Sequence, residues 1–224
     1  MNNELQWAAY AILVAGIFDV LDGRVARMTR STSQFGVEYD SIADVVSFGV
    51  APAILAYSWV LHSFGRLGWA GAFFFCACGA LRLARFNTIS EDLPKSYFIG
   101  LPIPAAAYMI ATTVIAYREL HFVYPEGLVL ILTFALGLLM VSNVRYRSFK
   151  DFDLRRRSSF VLLVMLVAMI AFIAIKPEVT LAFVFGYYVC WGPLRDGFRW
   201  FRSRKRVGER ENDTSRVEEE SSRS

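Results

Sequence analysis

Apolar runs along this chain, read against glycine, proline and charge breaks, predict seven membrane spans at about 6–20, 41–61, 67–86, 98–117, 126–142, 159–175 and 179–194. Runs such as Phe160 to Ile175 approach the roughly 20 residues that cross a bilayer as a helix. The predicted fold is therefore all-α, a polytopic bundle of transmembrane helices. Connections are short except 22–39, 87–97, 143–158 and the tail from 195, and with seven alternating spans these four fall on one side. That side holds every one of the 24 lysines and arginines except Arg66, Arg118 and Lys176. Basic residues concentrate on the cytoplasmic side of membrane proteins, so the N-terminus is expected outside and the C-terminus inside.

Composition agrees with that reading and narrows it. Of 224 residues, 55% are hydrophobic and 15% aromatic, and the mean hydropathy of +0.40 is too high for a soluble globule of this size. A disordered, collagen-like or disulfide-stapled chain is excluded. The net charge of +4 matters less than its placement, and nucleic acid is not an expected partner. Cys76, Cys78 and Cys190 lie inside apolar stretches and cannot build a four-ligand zinc site, so they are expected as buried small apolar residues. His62 and His121 end apolar runs, where interfacial turns are expected. Met1 to Gln6 carries Glu4 and no base, unlike the start of a signal peptide. Residues 1–195 form the expected membrane domain. Residues 196–224 read as a basic juxtamembrane segment, with Phe198, Trp200 and Phe201 among its bases, followed by a disordered cytoplasmic tail.

Four carboxylates carry the candidate chemistry. A carboxylate at a helix centre costs about 2.5–3.5 kcal/mol on insertion scales, so acidic residues at membrane depth default to function. Asp19 and Asp22 are spaced i,i+3 at the end of the first predicted span, and Asp40 and Asp44 i,i+4 at the start of the second, so each pair lies on one helical face. Antiparallel packing of the two helices would gather all four near the inside leaflet. Such a group stays ionised only around cations. Oxygen-only ligation favours Mg²⁺, Mn²⁺ or Ca²⁺ over zinc, and four bridging carboxylates suit two ions. Between the pairs, Gly23 and Ala26 allow close approach to the backbone, Arg27 offers a fork for phosphate oxygens, and Gly36 leaves room on the facing side. A cation channel or transporter would spread its acids through the membrane or place them on symmetric half-helices. Here they gather at one edge, and no internal repeat is visible.

Asp19-x-x-Asp22-Gly23-x-x-Ala26-Arg27, eight further residues, then Gly36-x-x-x-Asp40-x-x-x-Asp44 resembles, at every defined position, the signature of the CDP-alcohol phosphatidyltransferase family. STSQFGVEYDSIADVVSFGVAPA, RLARFN at 82–87, GLPIPAAA at 100–107 and MVSNVRYRSFKD at 140–151 look like its bacterial and archaeal branch that takes serine as acceptor. The resemblance covers about residues 6–195. It implies transfer of the phosphatidyl group of CDP-diacylglycerol to the hydroxyl of L-serine, with release of CMP. It further implies that Asp19, Asp22, Asp40 and Asp44 hold two divalent ions, Mg²⁺ or Mn²⁺, that Asp44 is the base, and that Gly23, Ala26, Arg27 and Gly36 bind the cytidine diphosphate moiety. The alternative is a sibling using glycerol 3-phosphate or an inositol phosphate, whose acceptor would want a denser basic cluster. The expected setting is a bacterial or archaeal cytoplasmic membrane, with the site facing the cytoplasm. Family members ordinarily begin with one more helix, so translation is expected to start upstream of Met1.

For the acceptor, Arg82 and Arg85 at the inside end of the third predicted span could grip the serine carboxylate, with Asn87 beyond. Ser142, Tyr146 and Lys150 follow the fifth span at the same depth and are candidates for the same pocket. Expected partners are CDP-diacylglycerol, L-serine and membrane lipids, with a second copy of the chain, as a homodimer, among the candidates.

Overall fold

A computed structural model describes residues 3–29, 33–89, 97–120, 125–147 and 180–195, together with the single positions 164 and 167. Helix α1 spans Asn3–Met28 and α2 spans Gln34–Asp44. The chain then continues without a break through a π-helical turn, Val45–Val50, into α3, Ala51–Trp59. A 3₁₀ turn, Leu61–Phe64, leads to α4, Arg66–Ile89. Strand β1 is Tyr97–Ile99, α5 is Ile103–Leu120, α6 is Glu126–Val141 and β2 is Arg145–Arg147. A last helix, α7, covers 180–195.

Asn3–Val25, Gln34–Trp59 and Arg66–Thr88 are long and apolar enough to cross a membrane, and Ile103–Tyr117 and Glu126–Val141 are shorter apolar helices. These five and α7 coincide with six of the seven predicted spans. Of the remaining one, 159–175, only Val164 and Val167 are described, both helical and exposed. The juxtamembrane segment and tail from 196 lie outside the described residues.

The packing is that of a bundle immersed in lipid. Small and β-branched residues are buried at the centre, on α5, where Ile103, Ala105, Ala106, Ala107, Ile110, Ala111, Val114 and Ile115 are enclosed. Phe48, Phe75 and Leu61 are enclosed as well, yet many large apolar residues face outward: Trp7, Phe18, Phe73, Ile131 and Leu138 are all more than half exposed. Outward apolar side chains are expected where the surroundings are hydrocarbon, because close backbone approach rather than water exclusion then selects what lies between helices. The hydroxyls that enter this interior are satisfied locally. Thr112 donates to the Tyr108 carbonyl at 2.7 Å, Thr113 to Met109 at 2.6 Å and Thr133 to Val129 at 2.8 Å, so each costs little at membrane depth.

Three expectations change. The fourth span does not begin at 98: Gly100 has φ +80 and Pro102 follows, so 98–102 is not helical and α5 starts at Ile103. A Cβ at Gly100 would overlap the Met140 carbonyl oxygen, so this position needs glycine both for its dihedral and for its space. The all-α fold also carries one small antiparallel ladder that pairs Tyr97 with Arg147, Phe98 with Tyr146 and Ile99 with Arg145. It is extended by Gly100 N–H donating to the Val144 carbonyl at 2.9 Å, and it gives partners to backbone groups that the two connections would otherwise leave bare. Finally, Cys78 is buried and Cys76 half-buried as small apolar residues, whereas Cys190 is exposed on α7. His62 sits in the 3₁₀ turn, as expected of an interfacial residue; His121 lies outside the described residues.

Candidate active site

Both acidic pairs stand on regular helix. The first two helices extend beyond the predicted ends: nothing between Asp22 and Met28 except Gly23 opposes a helix, so α1 continues to Met28. Ser33, with extended backbone, accepts from the Gly36 N–H at 3.0 Å and starts α2 six residues before Asp40. Gly36 thus serves in the first turn of α2, where a Cβ would meet the Ser33 hydroxyl at 3.2 Å. Gly23 lies on α1 one residue after Asp22, and Ala26 and Arg27 lie in its last turn; the side chains of Ala26 and Arg27 are outside the described ones.

The carboxyl groups of Asp19 and Asp44 are in hydrogen-bond contact, Asp40 is near enough to act electrostatically on both, and Asp22 acts on Asp19. Helix α1 packs chiefly on α5 and α3, touching the π-helical turn as well, rather than along α2. The two acidic faces therefore meet at half-buried Asp19 and Asp44 and open toward exposed Asp22 and Asp40. Helix α1 thus meets the second predicted span, 41–61, through α3 and the π-helical turn, with the acids toward one end of that contact.

The donor set suits hard divalent cations. Every candidate ligand is a carboxylate, two of them touch, and a cation between touching anions removes a repulsion that hydrocarbon surroundings would magnify. Among the described residues, no three of Asp, Glu, His and Cys stand grouped so as to hold a metal ion by themselves. An open cleft is what a site needs if substrate oxygens are to complete the coordination.

Helix α4 supplies the positive side. Arg82 is 9% exposed, lies within electrostatic reach of Asp44 and Tyr188, and holds its guanidinium 5.5 Å from the centre of the Phe86 ring. Its Nε is buried without a hydrogen-bond partner. A buried cation needs an anion, and Asp44 provides it. Arg85, Asn87 and Ser142, three of the other acceptor candidates, have partners inside the protein. Arg85 donates to the Val141 carbonyl at 3.2 Å and to Asn143 Oδ1 at 2.6 Å, closing the C-terminal end of α6. Asn87 donates to Ser41 Oγ at 2.9 Å, which ties α4 to α2 beside Asp40. Ser142 donates to Leu139 and accepts from the Val144 N–H. Tyr146 lies in β2, its side chain outside the described ones, and Lys150 is outside the described residues altogether.

Two tyrosines were missed by the sequence reading. Tyr108 on α5 lies within electrostatic reach of Asp19 and Asp44, and Tyr188 on α7 within reach of Arg82. Aromatic residues inside apolar runs read as packing or lipid-facing. The one available signal for Tyr108 was a lone phenol directly after three alanines in GLPIPAAA-Tyr, at the inside end of a span.

Comparison with known proteins gives a consistent set of matches. The sequence model for CDP-alcohol phosphatidyltransferase matches residues 1–142, which carry all four carboxylates, Arg82 and Tyr108. A Helicobacter pylori protein named CDP-diacylglycerol–serine O-phosphatidyltransferase is 40% identical over 196 residues, covering 87% of this chain and 81% of the relative. A Methanocaldococcus jannaschii protein of the same name is 45% identical over 140 residues, 62% of this chain and 63% of the relative. A third, from Bacillus subtilis, is 40% identical over 144 residues, 64% of this chain and 76% of the relative.

Proposed function

Because the chain belongs to the CDP-alcohol phosphatidyltransferase family, we propose that it transfers the phosphatidyl group of CDP-diacylglycerol to the hydroxyl of L-serine. The observation that carries this reading is the contact of Asp19 with Asp44 across two helices, with buried Arg82 beside it. Asp19, Asp22, Asp40 and Asp44 would hold two divalent ions, Mg²⁺ or Mn²⁺, which neutralise negative charge on the pyrophosphate and on the transferring phosphoryl group. Gly23, Ala26, Arg27 and Gly36 border the cytidine diphosphate moiety, Arg27 through charge-assisted bonds to phosphate oxygen.

Asp44 accepts the proton of the serine hydroxyl. The serine oxygen then forms a bond to the phosphorus bearing diacylglycerol, and the bond from that phosphorus to the CMP oxygen breaks. A primary alcohol is a poor nucleophile at neutral pH and needs a base within hydrogen-bond reach, which Asp44 supplies from a fixed helix position. Arg82, with its Nε free of protein partners, is the cation for the serine carboxylate. Arg85, Asn87 and Ser142 hold the surrounding helix ends in place, and Tyr146 and Lys150, which follow Ser142 in sequence, are further candidates for the acceptor pocket. The acidic end of the bundle faces the cytoplasm, where serine arrives and CMP leaves while the diacylglycerol chains stay in lipid.

The deciding experiment incubates purified protein with CDP-diacylglycerol, Mn²⁺ or Mg²⁺, and labelled serine, glycerol 3-phosphate or inositol phosphate in parallel. Labelled lipid from serine alone is the expected result, and product from a phosphorylated acceptor instead overturns the assignment. Recognition by Arg82 has its own test. Arg82→Lys keeps the charge and loses the planar fork, so the KM for serine is expected to rise roughly tenfold to a hundredfold, the worth of one charge-assisted hydrogen bond. Arg85→Lys should leave that KM within about twofold, because Arg85 is engaged with α6. Equal serine KM in wild type and Arg82→Lys would remove Arg82 from the acceptor pocket.

A further inference from the structure

Tyr108 occupies the space between the two helices that bring Asp19 and Asp44 together. Its ring packs edge-on against Phe48 at 5.9 Å between centroids and, tilted, against Phe185 of α7 at 5.0 Å. On the other side it lies against Gly16 of α1 so closely that a Cβ there would overlap the hydroxyl oxygen and the ring carbon that bears it. Gly16 precedes Asp19 by three residues and Phe48 follows Asp44 by four, so two of the surfaces that Tyr108 touches lie about one helical turn from the two carboxylates in contact. Both acids lie within electrostatic reach of its hydroxyl.

We propose that Tyr108 is a positioning residue for the Asp19–Asp44 pair, its ring setting the separation of α1 from the π-helical turn and its hydroxyl orienting the carboxylates for the cations they hold. The glycine at position 16 is then a requirement of the site, since any side chain there displaces the hydroxyl. Helix α5 enters the chemistry through this one residue, although it carries none of the acids. Groups that orient ligand carboxylates govern affinity and geometry together, because a carboxylate free to turn spends part of its binding energy on being ordered. The proposal rests on the phosphatidyl-transfer reading above for its effect on turnover, but its effect on cation binding stands apart from that reading.

Tyr108→Phe keeps the ring and its contacts with Phe48 and Phe185 and removes only the hydroxyl. Wild type and variant, purified and checked for the same thermal midpoint, are titrated with Mn²⁺ while free ion is followed by electron paramagnetic resonance, and kcat and KM are measured for both substrates. Outer groups of this kind are commonly worth ten- to a hundredfold, so Mn²⁺ affinity and kcat are each expected to fall about tenfold, with both KM values within about twofold of wild type. Gly16→Ala should reproduce the loss of Mn²⁺ affinity by displacing the hydroxyl. Wild-type Mn²⁺ affinity in Tyr108→Phe overturns the proposal, as does unchanged affinity with a raised serine KM, which would make the hydroxyl a direct contact of the acceptor. Absence of transfer by the wild type with every acceptor would instead sink the phosphatidyl-transfer reading, and the Mn²⁺ titration would still decide the role of Tyr108.

Discussion

Asp44→Asn is expected to lower kcat by roughly 10² to 10⁴, the range typical of losing a general base, with CDP-diacylglycerol still bound. The amide matches the carboxylate in shape and cannot accept the serine proton. Two further effects push the same way. Asp44 is in contact with Asp19, so the variant also weakens the proposed cation site, and it removes the anion facing buried Arg82. The measurement is therefore single-turnover transfer at saturating lipid and cation, alongside the thermal midpoint in detergent, so that loss of fold and loss of chemistry are read separately. Asp22→Asn serves for comparison: Asp22 is exposed at the open end of the cleft, so a smaller defect, recoverable at higher Mn²⁺, is expected. Normal turnover in folded Asp44→Asn protein would remove Asp44 from the mechanism.

Exhaustive treatment with EDTA is expected to abolish transfer, and Mg²⁺ or Mn²⁺ to restore it. The argument lies in the ligands: carboxylate oxygens alone offer neither thiolate nor imidazole, so harder ions are preferred and zinc has no advantage. No three candidate ligands among the described residues are grouped to hold an ion by themselves, so ions held there with the help of substrate oxygens would be exchangeable rather than structural. Restoration should occur in minutes without refolding, followed as labelled lipid product after adding cation back to chelated protein. Transfer that persists after the chelator has been dialysed away in metal-free buffer would contradict the two-ion reading.

How far the sequence reaches depends on the range of the interaction that fixes each feature. The spans were legible because insertion into hydrocarbon is decided locally, by length and mean polarity, and α4 and α6 lie within a few residues of where the apolar runs put them, whereas α1 runs on past its apolar stretch to Met28. The carboxylates were legible because fixed helical spacing is a local property as well. Illegible were the features set by contacts between distant segments. The ladder of β1 with β2 depends on two connections meeting, which no window of sequence contains. Arg82 and Arg85, one turn apart and alike in composition, diverge completely: one is buried against Asp44 and the other closes the end of α6. Tyr108 passed for packing because its neighbours Gly16 and Phe48 are respectively 92 residues and 60 residues earlier in the chain.

The π-helical turn between Asp44 and Ala51 can be understood in terms of chain length. Its Ala51 N–H reaches back five residues to the Val46 carbonyl, and Pro52, which follows, has no N–H to offer and a ring that a regular helix would press against the Phe48 carbonyl. Such a turn amounts to one surplus residue in an otherwise continuous helix. In a regular helix each added residue would rotate everything beyond it by about 100°, so the surplus uncouples the angular setting of α2 from that of α3. The apolar face of α3, which places Trp59 against Tyr117 at 5.3 Å, and the acidic face of α2, which places Asp44 against Asp19, are thereby set on either side of the turn. One rod can anchor itself in the bundle by one azimuth and present its carboxylates at another.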